Sequence, residues 1–194
     1  MTRTANPRGA GIRLREELLG AATRLLDAGG RDAVLTLRGV AREAGVAAPS
    51  VYPHFADLDA LILELIRRHL ADLTAVVRAA VGTADGPADA LRAAALAYAR
   101  WGLDRPGPYT VVFEGRALRQ LTRDEDLGLS AGDDLREDLV ALLRALPRRP
   151  DDVETTAIAL WSALHGVVAL RTAKPAYPWP ALEAHVAAVI EPYL

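Results

Sequence analysis

The side chains best suited to chemistry in this chain are crowded into Thr36 to Phe55, TLRGVAREAGVAAPSVYPHF. There Thr36, Arg38, Ser50, Tyr52 and His54 supply hydroxyl, guanidinium, phenol and imidazole groups that can donate to phosphate oxygens or base edges. Catalytic patterns are poorer. The chain has no Cys, no GxGxxG run and no P-loop, and His54, His69, His165 and His185 lack the HxxxH spacing of a metal site. No catalytic residue, metal or cofactor is therefore expected.

Positioning those donors requires short, sharply connected elements, and the intervening residues supply them. Thr36 is a good N-cap for a helix that keeps Leu37, Val40, Ala41 and Ala44 on one apolar side. Gly45 can take the left-handed conformation that ends such a helix, and Val46 turns back into the interior. A second helix is expected from near Ala48, with Pro49 in its first turn, where a missing N–H is harmless. Val51 and Phe55, four residues apart, anchor it inward. Pro53 removes a backbone donor and is expected to shorten or kink this helix after Tyr52. Helix, turn and helix form a helix-turn-helix, whose second helix presents its first residues to the major groove. Ala48, Pro49 and Ser50 are thus expected at base edges, the first two through apolar contact. Thr36, Tyr52 and His54 are expected at phosphates, with Arg38 also on the DNA side.

Arg13 to Leu70 resembles the DNA-binding domain of the TetR family of bacterial transcriptional regulators. The resemblance lies in an amphipathic first helix with Leu18, Ala21, Ala22, Leu25 and Leu26, the Gly29-Gly30 pair, and the Thr36 cap. It continues in AxxAGV from Ala41 to Val46 and FxxxxAL from Phe55 to Leu61. Leu58 departs from the pattern, because most relatives carry a phosphate-binding lysine there. The resemblance implies an all-α fold of about nine helices. A flexible arm over residues 1–12 would precede a three-helix helix-turn-helix domain at 13–57 and a helical ligand-binding and dimerisation domain at 58–194.

Charge is divided along the chain. Residues 1–55 hold eight arginines against five carboxylates, a net +3, so the overall charge of -2 leaves -5 for the remainder. A basic N-terminal module on an acidic body suits local attraction to phosphate without general coating of DNA. Arg3 and Arg8 in the arm could reach a phosphate or the minor groove, though a disordered tail without a role is the favoured expectation. With 51% hydrophobic residues the chain can bury a sizeable core. The lack of Cys, of a signal-like N-terminus and of an uninterrupted apolar run near ~20 residues points to a cytoplasmic protein with no membrane partner.

Helical periodicity continues to the C-terminus. Helices are expected from Leu58 to near Val81, from Ala88 to about Leu103, around Leu135 to Leu146, from Asp151 to Thr172 and from Leu182 to Tyr193. Arg105 to Pro108 breaks the chain between helices, and Gln120 to Gly132 reads as a polar loop. The last two helices carry apolar residues on more than one face, which must be buried from more than one side. A homodimer with a four-helix seam follows as an expectation, and with it an inverted-repeat, palindromic operator.

The run Trp161 to Gly166, WSALHG, and Ala97 to Phe113 resemble the WHG subgroup of the family. The resemblance implies a small-molecule effector, mainly apolar or aromatic. Tyr98, Trp101, Tyr109, Phe113, Trp161 and His165 are the residues it suggests for ligand binding, with His69, Glu114 and Arg116 as further polar partners. Core packing or solvent exposure is the favoured expectation for each, with core or interface packing favoured for Trp161 and His165. A repressor that needs no ligand, or an architectural DNA-binding protein, is the alternative function.

Overall fold

The computed structural model of the protein describes residues 10–30, 33–114 and 130–194. Its α-helices are α1 (Ala10–Gly29), α2 (Leu37–Glu43), α3 (Leu58–Val81), α4 (Pro87–Asp104), α5 (Pro106–Phe113), α6 (Ser130–Ala145), α7 (Val153–Ala173) and α8 (Leu182–Ile190). Single 3-10 turns lie at Ala48–Ser50 and Glu191–Tyr193. The all-α class is as the residues suggested, with eight α-helices among the described residues. Ser130–Gly132, expected in a polar loop, instead opens α6. The rest of that loop, Arg116, and the arm with Arg3 and Arg8 lie outside the described residues.

The chain forms two compact units, and the division falls inside α3 between Arg68 and His69. The first comprises α1, α2, the Ala48–Ser50 turn, the start of α3 and α5. Its core is an apolar cluster of Leu18, Leu19, Ala22 and Leu26 from α1, Val40 and Ala41 from α2, Val51 and Phe55, and Leu61 and Leu65 from α3. Full burial of one such leucine is worth about 1.5–3 kcal/mol. Ion pairs brace the rim: Arg15 to Glu64 at 3.0 Å, Arg68 to Glu16 at 2.7 Å and Arg24 to Glu43 at 2.8 Å. The Arg15 guanidinium also lies over the Phe55 ring, 5.1 Å from its centroid. Its hydrogen bond holds the Glu64 carboxyl below the ordinary glutamate range, and the positive charges of Arg15 and Arg67 add to that.

In the second unit α7 packs against α4, α6 and α8. Leu73, Leu91, Ala99, Leu143, Leu160, Val168 and Ile190 are buried in its core. Asp152 caps α7 by accepting from the Thr155 N–H at 3.0 Å. By length and composition α7 is apolar enough to cross a bilayer, at a mean hydropathy of 1.4. Here it serves as a core helix, with Ala157, Leu160, Leu164, Val167 and Val168 buried. Its other side leaves Ile158, Trp161 and Leu170 about half exposed, at 54%, 45% and 50%.

Candidate nucleic-acid interface

The first helix of the motif is built as its residues dictate. Thr36 is extended, and its Oγ1 accepts from the Gly39 N–H at 3.0 Å, satisfying one of the free donors of α2. At the other end Gly45 has φ +70°. There the Gly45 N–H donates to the Arg42 carbonyl at 3.1 Å and the Val46 N–H to the Ala41 carbonyl at 2.9 Å. That pair of bonds is a Schellman ending, which glycine permits because it carries no Cβ.

The second element differs from expectation. The spacing predicts an α-helix from near Ala48, but only Ala48–Ser50 is regular, as one 3-10 turn, followed by hydrogen-bonded turns to Phe55. Both prolines account for this. Pro53 has no N–H to give to the Pro49 carbonyl, and a residue preceding proline disfavours the α conformation, which affects Ala48 and Tyr52. The element is held by its anchors rather than by a helical ladder. Val51 and Phe55 are buried in the core of the first unit, and the Val51 carbonyl accepts from the N–H groups of His54 at 2.9 Å and Phe55 at 3.0 Å.

With the anchors buried, the remaining side chains face outward. Tyr52 is 55% exposed, and Pro49 and Pro53 are also exposed, while Ala48, Ser50 and His54 are half-buried. Thr36 caps α2 and Arg38 lies on it, both exposed, so all seven residues assigned to DNA lie on α2, its cap and the Ala48–His54 turns of one unit. His54 lies against the first turn of α1, its Cε1 3.8 Å from where a Cβ of Gly11 would sit. Ala47 joins the candidates. It is extended and exposed immediately after Val46 turns inward, so the same turn that buries one residue presents the next. Arg42 is a further candidate; it is exposed and makes no ion pair with a described residue, whereas Arg15 and Arg24 are engaged in bracing. Leu58 opens α3 half-buried against the apolar cluster, so it adds packing where a lysine would add a phosphate contact.

The residues suggested for a ligand fall in three places. Tyr98 and Trp101 are buried on α4, and the Trp101 Nε1–H donates to the half-buried Asp72 at 2.7 Å, so its polar edge is already engaged. Tyr109 is buried and Phe113 half-buried on α5 in the first unit, with ring centroids 4.8 Å apart. Trp161 and His165 lie on α7 in the second unit, 6.5 Å apart, and Trp161 is among its exposed residues. His69 is buried and Glu114 half-buried.

Residues 18–65 match the family described as bacterial regulatory proteins, tetR family. Residues 91–191, more than half the chain, match the tetracyclin repressor-like C-terminal domain. The chain belongs to the TetR family. Members of the family are DNA-binding transcriptional regulators, usually repressors, and not enzymes. The string Gly128 to Gly132, GLSAG, spells the GxSxG of a hydrolase elbow by sequence alone. An elbow needs a strand leading into a helix; Ser130 opens α6, and the residues that would form that strand lie outside the described ones.

Solved structures share the fold. A protein with unknown function from Rhodococcus sp. RHA1 is 24% identical, with 98% of this chain and 97% of that one covered, at a TM-score of 0.77. The TetR family transcriptional regulator PfmR from Thermus thermophilus is 24% identical over 89% of this chain and 94% of that one, at 0.64. The ketosteroid transcriptional regulator KstR2 of Mycobacterium tuberculosis is 23% identical over 92% and 94%, at 0.63. No curated protein matches the chain significantly.

Proposed function

We propose that this TetR-family protein is a cytoplasmic repressor that binds an inverted-repeat operator as a homodimer and is released by a small, mainly apolar effector. The observation that carries the DNA reading is the outward tip from Ala47 to His54 on a turn anchored by buried Val51 and Phe55, flanked by exposed Arg38. Pro49 and its neighbours meet base edges, while Thr36, Arg38, Tyr52 and His54 hold phosphates. Two such tips must be presented at a fixed spacing, which requires a second copy.

The outward side of α7 supports that copy. Ile158, Trp161 and Leu170 carry apolar surface, and the small residues Ala159, Ser162, Ala163 and Gly166 lie on the same helix. A Cβ at Gly166 would meet nothing within 4 Å among the described residues, so none of their packing demands a glycine in mid-helix. Close approach of a partner helix supplies the reason. Trp161 and His165 are then seam residues, and the buried aromatics Tyr98 and Trp101 on α4 are the first positions to test for an effector. An effector releases DNA only if it binds the non-DNA conformation more tightly.

The test is fluorescence anisotropy of the full chain against duplexes from its own upstream region and shuffled controls, with sedimentation to count subunits. Tight binding of two chains to the native, two-fold-symmetric duplex alone is the expected result. Equal weak binding to native and shuffled duplexes, and to duplexes from a genome-wide selection, would remove the specific-regulator reading in favour of an architectural one.

A further inference from the structure

We infer that the recognition turn specifies its half-site chiefly through the C5 methyl groups of pyrimidines. Binding should therefore respond to thymine-to-uracil replacement and to 5-methylation of cytosine. This rests on the DNA reading proposed above. Major-groove identification of guanine normally uses the forked donors of Arg or the ammonium of Lys, and adenine uses the amide of Asn or Gln. Residues 45–57, GVAAPSVYPHFAD, contain none of these four types.

What the turn does present is carbon. Ala47 and Pro49 are exposed, Ala48 is half-buried beside them, and Ser50 contributes the one polar side chain among residues 47–50. A serine hydroxyl both donates and accepts, so it discriminates weakly among bases. The brevity of the 3-10 turn matters equally. A longer helix could carry later residues along the groove floor, but here Val51 and Phe55 return to the core within one turn. Arg38 and Arg42 sit on the first helix of the motif, the one that crosses the backbone, which assigns their guanidinium groups to phosphates.

The methyl of thymine is the apolar feature of the major-groove edge. An alanine or proline tip packed on it removes that carbon from water, and 5-methylcytosine carries the same methyl at the same ring position. A base without that methyl leaves the side-chain carbon unpacked, and its polar edge meets side chains that cannot bond it, leaving groove groups desolvated. Each buried methyl should contribute about four-fold in affinity.

The experiment begins by selecting an operator with the full-length protein from random duplexes. Each thymine of the selected site is then replaced singly by deoxyuridine, which removes the methyl and leaves every hydrogen-bonding group in place. The expected result is an affinity loss of about four-fold at two or more thymines in each half-site. At least one of these losses should vanish in Ala47→Gly or Pro49→Ala. Placing 5-methylcytosine at such a position should recover part of the binding that plain cytosine loses. Equal affinity for thymine and uracil at every position of a selected operator overturns the methyl reading while leaving the regulator reading intact. Unchanged uracil losses in both variants would overturn the assignment of those contacts to this turn. Failure to select any operator overturns both readings.

Discussion

Gly107 of α5 packs directly on the carbonyl of Leu26 near the end of α1. A Cβ there would lie 2.6 Å from the Leu26 carbonyl carbon and 3.0 Å from the Gly30 oxygen, overlapping backbone that cannot rotate away as a side chain can. The first helix of the DNA-binding unit is thus fitted to a segment that follows it by some eighty residues in sequence. Gly107→Ala should push α5 off α1 at a cost of about 1–3 kcal/mol, the usual range for overpacking. Urea unfolding measures it; an unchanged midpoint would show that the two backbones are not in contact.

Tyr52→Ala should weaken operator binding by about ten-fold or more, the order expected for a lost bond to a charged phosphate, with little change in thermal stability. More than half of the side chain is exposed, so its removal opens no cavity. Anisotropy and a thermal melt on the same sample separate the two effects, and retained affinity would move the reading surface elsewhere.

Gly45→Ala probes the turn itself. Space is not the issue, since no described residue lies within 4 Å of the added carbon, but φ of +70° is costly for any residue with a Cβ. A loss of about 1–2 kcal/mol is expected from chemical denaturation. No loss would mean that the end of α2 does not need the left-handed residue.

Gly166→Leu separates folding from assembly. Among the described residues nothing lies within 4 Å of the site, and replacing glycine in mid-helix gains about 0.5–1 kcal/mol of helix propensity. The variant should therefore be at least as stable as a folded chain, yet sediment as a monomer. A variant that remains dimeric would place the seam away from this side of α7.

Acid sensitivity should follow from two groups. The hydrogen bond from Arg15 keeps Glu64 below its ordinary 4.5, so its contribution is complete above that value and fades as pH falls through the folded-state pKa. His185 is held below its ordinary 6.5, first by burial and then by the positive charge of Arg171. Its neutral form is the one the fold prefers. Stability from this site is therefore full above 6.5 and lost as pH falls through its own lowered pKa. Unfolding of wild type, Glu64→Gln and His185→Gln between about pH 7 and 3 should show each variant with a flatter acid limb; parallel limbs would dismiss both linkages.

The residues alone determined the helical class, the Thr36 cap, the glycine turn at Gly45 and the inward pair Val51 and Phe55. Each follows from local chemistry: a hydroxyl within reach of a free N–H, a backbone without a Cβ, an apolar pair at helical spacing. Tertiary structure decided the remainder. Pro53 signalled a shortened element, but the reduction to a single 3-10 turn at Ala48–Ser50 depends on the core holding Val51 and Phe55 while both prolines withhold donors. Which arginines are engaged in ion pairs also escaped the sequence. Arg15 and Arg24 find their carboxylates across helices, on Glu64 and Glu43, whereas Arg38 and Arg42 make no ion pair with a described residue. The closeness of Gly107 to Leu26 was likewise invisible, because periodicity records which face of a helix is apolar and carries no record of which distant backbone comes to rest against it.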